Sequence, residues 1–277
     1  MRLAHETPAT DEPIMRLLFT ALALTLAMPT AAPRPAAAQE ASSEAISGGK
    51  LLDWTARGEK LGQPRKFYLG RRVAPTMSYA GGASWLVRPE RETEERSSEM
   101  IAQLGLKEGM VVADFGSGVG YHSIPMAETI VPGGEVYAID LQEPMLRSLV
   151  ARADESGVKG IVPVLTRSNV PELPPGKFDL VLMVDVYHEL SYPAETLREI
   201  RESLRPDGRV ALVEFRGEDP DVPILPEHKM TKEQILKEYK ANGFVLQDSY
   251  DGLPWQHLMF FAADSSQAVT PSQAVTR

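Results

Sequence analysis

The stretch Val111-Val112-Ala113-Asp114-Phe115-Gly116-Ser117-Gly118-Val119-Gly120-Tyr121-His122 leaves few folds open to the chain. A β-branched, apolar run passes directly into three glycines, and a helical pattern opens at once after them. Glycines there let the backbone turn with positive φ and let a ligand lie against bare peptide. A helix beginning behind such a loop offers unpaired N–H groups to a polar ligand. A strand–glycine loop–helix unit points to a nucleotide-like cofactor when a second strand ends in an acid about 20 residues on. Residues 135–140, Glu-Val-Tyr-Ala-Ile-Asp, are such a strand, and Asp140 is the acid.

Other strands and helices alternate around this unit. Strands are expected at residues 110–115, 135–140, 161–165, 178–184, 209–215, 244–250 and 255–261. Helices are expected at 90–106, 120–130, 144–156, around Leu197, Ile200 and Leu204, and at 231–240, where Thr231-x-x-Gln234 forms a capping box. Phe178-Asp179-Leu180-Val181-Leu182-Met183-Val184 is nearly unbroken apolar sequence, as a strand buried on both faces requires. No helix separates the final two strands, so they pair as an antiparallel hairpin. The fold class is therefore α/β: a Rossmann-like, doubly wound, mostly parallel seven-stranded sheet with a C-terminal antiparallel hairpin. Ligands bind such sheets where the strand order reverses, outside the carboxyl ends.

Residues 17–28 (LLFTALALTLAM) are apolar, follow Arg16, and lead through Pro/Ala-rich sequence to Ala36-Ala37-Ala38-Gln39. That is the pattern of a secretory signal peptide over residues 1–38, and the acids Asp11 and Glu12 before it favour a start at Met15. Export to the periplasm or cell envelope is expected, or a cytoplasmic location if the leader is not used. Residues 39–50 read as linker, 51–104 as a small N-terminal cap and helix, 105–262 as the ligand-binding domain, and 263–277 as a polar disordered tail. The apolar run of the leader is too short to span a bilayer, and no stable membrane span is expected in the mature form. The net charge of −9 argues against nucleic acid as partner, because phosphate neutralisation supplies most of that affinity. With no cysteine, the chain has no disulfide, thiolate metal site or cysteine nucleophile.

At this point the residues resemble a class I S-adenosyl-L-methionine (SAM) dependent methyltransferase. The loop is G-x-G-x-G (Gly116, Gly118, Gly120) rather than the G-x-G-x-x-G of NAD enzymes, and a terminal hairpin is a hallmark of the methyltransferases. Phe178-Asp179-Leu180-Val181 and Leu204-Arg205-Pro206-Asp207-Gly208-Arg209 follow in the family's order. Val136-Tyr137-Ala138-Ile139-Asp140 and Met145 are similar to the ubiquinone/menaquinone-biosynthesis type. Asp185-Val186-Tyr187-His188-Glu189 and His228-Lys229-Met230 resemble leader-bearing bacterial methyltransferase-like proteins of unassigned substrate. The resemblance implies SAM as cofactor. It places Gly116, Ser117, Gly118 and Gly120 under the methionine part, with Asp114 bracing the loop or reaching the amino group. It places Asp140 and Leu141 at the ribose, Met145 near the adenine, and Asn169 where the family usually has aspartate.

Asp185, Tyr187 and His188 follow the fourth strand at the ligand edge and are the candidate catalytic residues. His188 is either a base or acceptor-orienting residue, or a hydrogen-bonded structural histidine. Tyr187 serves equally well as packing. Glu214, Arg216, His228 and His257 are candidate substrate contacts, with a local salt bridge the alternative for the first two. Arg88, Arg91 and Glu92 either close the cap over the cofactor or form a solvated helix start. No H-x-x-x-H or H-x-H spacing is present, and no metal is expected. The expected function is methyl transfer from SAM to a small-molecule acceptor. The alternative is an exported protein that keeps the fold and binds SAM or another ligand without catalysis. An NAD-dependent oxidoreductase is disfavoured by the glycine spacing and the hairpin.

Overall fold

A computed structural model describes residues 51–54, 61–166 and 170–266. The leader, the linker, Asn169 and the tail beyond residue 266 lie outside the described residues.

The main sheet is built on β4 (Val111–Phe115), β5 (Glu135–Asp140), β6 (Ile161–Leu165), β7 (Phe178–Val184) and β8 (Leu204–Phe215), all parallel and joined by crossovers. An antiparallel pair, β9 (Phe244–Tyr250) and β10 (Gln256–Ala263), completes it through β10 against β8. Three two-residue strands precede these: β1 (Leu52–Asp53), and β2 (Phe67–Tyr68) with β3 (Arg71–Arg72), which pair only with each other. The order is β1-β6-β5-β4-β7-β8-β10-β9. The chain runs outward from β4 through β5 and β6, then returns to β7 on the other side of β4. The reversal beside β4 opens the crevice in which ligands of such sheets sit.

The sheet has eight strands where seven were expected, because β1 adds to the β6 edge in parallel, Leu52 opposite Val164 and Asp53 opposite Leu165. Trp54 anchors it: its N–H donates to the Leu165 carbonyl at 3.0 Å, and its ring stacks on Tyr137 at 5.3 Å between centroids. Along β4 the side chains alternate between two cores. Val111, Ala113 and Phe115 join one, Val112 the other, and all are buried. That two-sided burial is why the strand reads as continuous apolar sequence.

Helices cover both faces: α1 (Tyr79–Gly82), α2 (Arg91–Glu95), α3 (Ser97–Gln103), α4 (Ser123–Ile130), α5 (Glu143–Ser156), α6 (Pro193–Ser203) and α7 (Lys232–Ala241). The single helix expected over 90–106 is two, broken at Arg96 with φ 49°. The Glu92 carboxylate accepts from the Ser98 N–H at 3.1 Å, so a side chain from the first turn of one helix caps the start of the next. The helix behind the glycine loop begins at Ser123 rather than Gly120. Gly120 has φ +80°, and a Cβ there would fall 2.6 Å from Leu149 Cγ of α5. Its role is close helix packing, and it does not line the ligand cavity. No described helix is long and apolar enough to cross a membrane.

Candidate active site

The crevice beside β4 is a half-enclosed cavity of about 460 Å³. Gly116, Gly118, Asp140, Leu141 and Met145 line one end, and Asp185, His188, Glu189 and His228 line the other. Phe115, Ile139 and Val184 form part of an apolar floor, and Trp85, Leu86 and Met77 from the N-terminal segment close over it.

Asp140 caps β5 and is buried. Its Oδ2 accepts from the Gly118 N–H at 2.9 Å, and its Oδ1 from the Gln142 N–H at 2.8 Å. Each oxygen of a carboxylate has two lone pairs, so each keeps one for a ligand hydroxyl. Burial pushes the Asp140 carboxyl up, against the pull of those backbone donors. The loop's N–H groups are largely committed: Gly116 and Ser117 donate to the Ile139 carbonyl at 2.8 and 3.0 Å, and Gly120 to Ser117 at 3.0 Å. A loop that spends its donors internally makes a poor cradle for a pyrophosphate. The Leu86 side chain of the N-terminal segment lies against the loop, 2.7 Å from where a Cβ of Gly118 would stand. At Gly116, φ is +80° and a Cβ would meet Val186 Cγ2 at 2.5 Å, so neither backbone nor space admits a side chain. These features fit SAM: a diol acceptor at Asp140, glycine peptide beside it, and an apolar wall carrying the Met145 thioether.

Asp114 and Ser117 do not line the cavity. Asp114 is buried and accepts from the Ser123 hydroxyl at 2.5 Å, tying the end of β4 to the start of α4. Of the two roles expected for it, bracing the loop is the one this geometry serves. Burial raises its pKa to about 6. The buried Ser117 hydroxyl has no hydrogen-bond partner.

At the other end, His188 is buried in a 3₁₀ turn, Tyr187–Glu189, directly after β7. Its Nδ1 lies 2.5 Å from Glu214 Oε2 and its Nε2 lies 3.0 Å from His228 Nδ1. The Glu214 carboxylate, fully buried on β8, also accepts from the His188 backbone N–H at 3.2 Å. A carboxylate accepting from Nδ1–H holds the ring in one orientation and directs the Nε2 lone pair at His228 Nδ1. Glu214 is therefore a positioning residue for His188 rather than a substrate contact, and it does not reach the cavity.

Asp185 sits at φ 52°, an uncommon conformation for a residue with a side chain. Its Oδ2 accepts from Gln256 Nε2 at 2.6 Å, while its buried Oδ1 has no partner. Burial, reinforced by Glu95 and Glu214, pushes this carboxyl well above the usual range. Burial likewise raises Glu189 to about 7 and lowers His228.

Three expected contacts lie elsewhere. Tyr187, next to His188, turns the opposite way; its hydroxyl donates to Glu238 Oε2 at 2.7 Å and its ring packs on Tyr239, fully buried in the core. Arg216 donates to the carbonyls of Asp251 and Leu253 at 2.9 and 2.8 Å, fastening a loop. His257 pairs through Nε2 with Glu218 Oε2 at 2.8 Å. None of the three lines the cavity. Conversely, Arg91 does: it is buried, bonded to Glu95 Oε2 at 2.7 Å within its own helix, and lies over the Tyr121 ring at 4.4 Å. Gln142 and Glu189 were not singled out from the sequence. Gln142 bridges the cap, accepting from the Tyr79 N–H at 2.7 Å and donating to the Met77 carbonyl at 2.9 Å. Spacing along the chain suggested no metal motif, yet His188, Glu189 and His228 bring one ligand atom each within 4.8 Å of one another.

A methyltransferase-domain family model matches residues 106–262. The chain belongs to this methyltransferase family. Among relatives, this methyltransferase-domain protein is 38% identical over 107 residues to the nocamycin O-methyltransferase of Saccharothrix syringae, covering 38% of this chain and 37% of that one. It is 31% identical over 115 residues to the ubiquinone/menaquinone biosynthesis C-methyltransferase UbiE of Cupriavidus necator, covering 42% and 47%. It thus spans less than half the length of these relatives. A SAM-dependent methyltransferase structure from Aquifex aeolicus superimposes with a TM-score of 0.63 at 24% identity, covering 67% of this chain and 98% of that one. The fold is the Rossmann-like fold of the class I methyltransferases, and the cofactor of that family is SAM.

Proposed function

We propose that this protein transfers the methyl group of SAM to a small-molecule acceptor. One observation carries the reading: a single cavity joins the Gly116–Asp140 end to the His188 end, so cofactor and acceptor share one enclosed space. When bound, SAM supplies an electrophilic methyl on a sulfonium. Asp140 has the lone pairs to hold a ribose diol, and the glycine loop lies beside it. The apolar floor and the Trp85–Leu86 segment limit the cavity's contact with water. Holding the reactants in line supplies up to about 7–11 kcal/mol of the barrier reduction. His188 Nε2, oriented through Nδ1 by Glu214, accepts the proton if the acceptor is a hydroxyl.

The test is calorimetry of the full chain with SAM, followed by methyl-labelled SAM with a cell-envelope extract, comparing the native protein with His188→Gln. Saturable binding and label transfer that His188→Gln suppresses support the reading. No binding at millimolar SAM sinks it, and binding without transfer to any extract component leaves the alternative of an exported binding protein. We further propose export, on the strength of the leader pattern; N-terminal sequencing of the envelope-fraction protein is expected to begin near Gln39, and an intact leader in the cytoplasm would contradict it.

A further inference from the structure

The cavity wall facing the glycine loop holds more coordinating groups than proton transfer needs, since one base suffices. His188 Nε2 and His228 Nδ1 are 3.0 Å apart, and Glu189 Oε1 lies 3.9 Å from the first and 3.8 Å from the second. The circle through these three atoms has a radius of about 2.1 Å, the length of a zinc–imidazole or zinc–carboxylate bond. An ion at that distance replaces the His188–His228 hydrogen bond, taking up the proton's place between the two rings, which turn their ring nitrogens toward it. Two imidazoles and one carboxylate form the donor set of catalytic zinc and of non-haem iron(II), both of which keep positions open to a ligand.

The surroundings are those of a built metal site. Glu214 accepts from His188 Nδ1 at 2.5 Å, the carboxylate–histidine arrangement that fixes which ring nitrogen faces a metal. The Met77 N–H donates to Glu189 Oε1 at 3.2 Å, holding that carboxylate toward the histidines. Arg91, the cationic residue on the cavity wall, is paired with Glu95 and does not compete for Glu189. All three ligand residues line the cavity, so the remaining coordination positions open into it.

We propose that His188, His228 and Glu189 bind one divalent transition-metal ion, zinc in the first instance, with open positions for an oxygen donor of the cavity's ligand. The site stands whether or not the protein transfers methyl groups; with an ion bound, His188 Nε2 is a ligand and no longer the proton acceptor.

The full chain, stripped with a chelator and exchanged into metal-free buffer, is titrated with Zn2+ by calorimetry and with Co2+ by visible absorption. One equivalent is expected, with the d–d bands of a four- or five-coordinate cobalt centre. His228→Ala with Glu189→Gln is expected to weaken binding at least 100-fold; His228 is only half-buried on a surface turn, so folding is retained, and circular dichroism checks it. Glu214→Gln is expected to weaken binding about 10–100-fold through the outer shell. Absence of saturable binding below millimolar Zn2+, or equal binding by the double variant, overturns the proposal. SAM calorimetry on the same samples is an independent readout: metal binding without SAM binding defeats the methyl-transfer reading alone, and SAM binding without metal defeats this one alone.

Discussion

Replacing Asp114 by asparagine isolates the cost of a buried charge at the foot of the glycine loop. Burial raises the Asp114 carboxyl from the usual 3.8 to about 6, against the Ser123 hydroxyl bond that favours the ionised form. Below pH 3.8 both folded and unfolded chains hold the proton, and the group contributes nothing to pH dependence. Between 3.8 and about 6 the folded chain holds the proton and the unfolded chain has lost it, so stability falls as pH rises. Above that window the whole penalty applies. At about 1.4 kcal/mol per pH unit it amounts to about 3 kcal/mol. Asparagine cannot ionise and keeps a carbonyl that accepts from Ser123. Urea unfolding of both proteins at pH 4, 5, 6 and 7 measures the difference. The stability of the native protein relative to Asp114→Asn is expected to drop by about 2–2.5 kcal/mol between pH 4 and pH 7, the rest of the penalty having set in below pH 4, and to level off near pH 7. A difference that is flat with pH, or that grows as pH rises, would show that Ser123 and Arg91 outweigh burial and would refute the reasoning.

Asp140→Ala removes a buried carboxylate from the cofactor end and is expected to weaken SAM binding about 100-fold or more, at about 1.5–3 kcal/mol per charged hydrogen bond; equal affinity by calorimetry would remove Asp140 from the site. Gly116→Ala forces a Cβ to within 2.5 Å of Val186 at φ +80°, so SAM binding should be lost, and adding Val186→Ala should recover part of it, leaving about 1–2 kcal/mol of backbone strain. No recovery in the double variant would mean that the clash is not with Val186. Tyr187→Phe should leave SAM affinity unchanged while lowering stability by about 1–3 kcal/mol, since Glu238 loses a buried donor; a fall in affinity without a fall in stability would return Tyr187 to the cavity.

The strand, glycine loop and neighbouring acid were legible because their logic is local. The run 111–122 carries strand, loop and helix in twelve consecutive letters, and Asp140 must follow at the end of the neighbouring strand. The His188 end is assembled from separate segments. Tyr187 and His188 are adjacent in sequence, yet a 3₁₀ turn sends one to the core and the other to the cavity, a divergence no periodicity records. Glu189 is acidic, unremarkable in a string, and becomes a partner of His228 only because a second 3₁₀ turn, Pro226–His228, is carried back over it. Glu214 was legible as a polar residue at the right edge of β8, but whether it faced ligand or protein depended on β7–β8 pairing, which sets Val213 against Val184 and leaves Glu214 beside His188. The β1 strand escaped notice for a different reason: two residues are too few to show alternation.

That short strand has a bearing on how the protein can be dissected. An uncovered border of a parallel sheet exposes a ladder of hydrogen-bonding groups to any passing chain. Leu52 and Asp53 occupy that border on β6, while Trp54 locks them there by stacking on Tyr137. A fragment trimmed to residues 106–262 would lose this seal together with Trp85, Leu86 and Arg91. Such a fragment would carry a sticky flank and an unroofed chamber, and its behaviour would describe neither the solubility nor the ligand affinity of the intact chain.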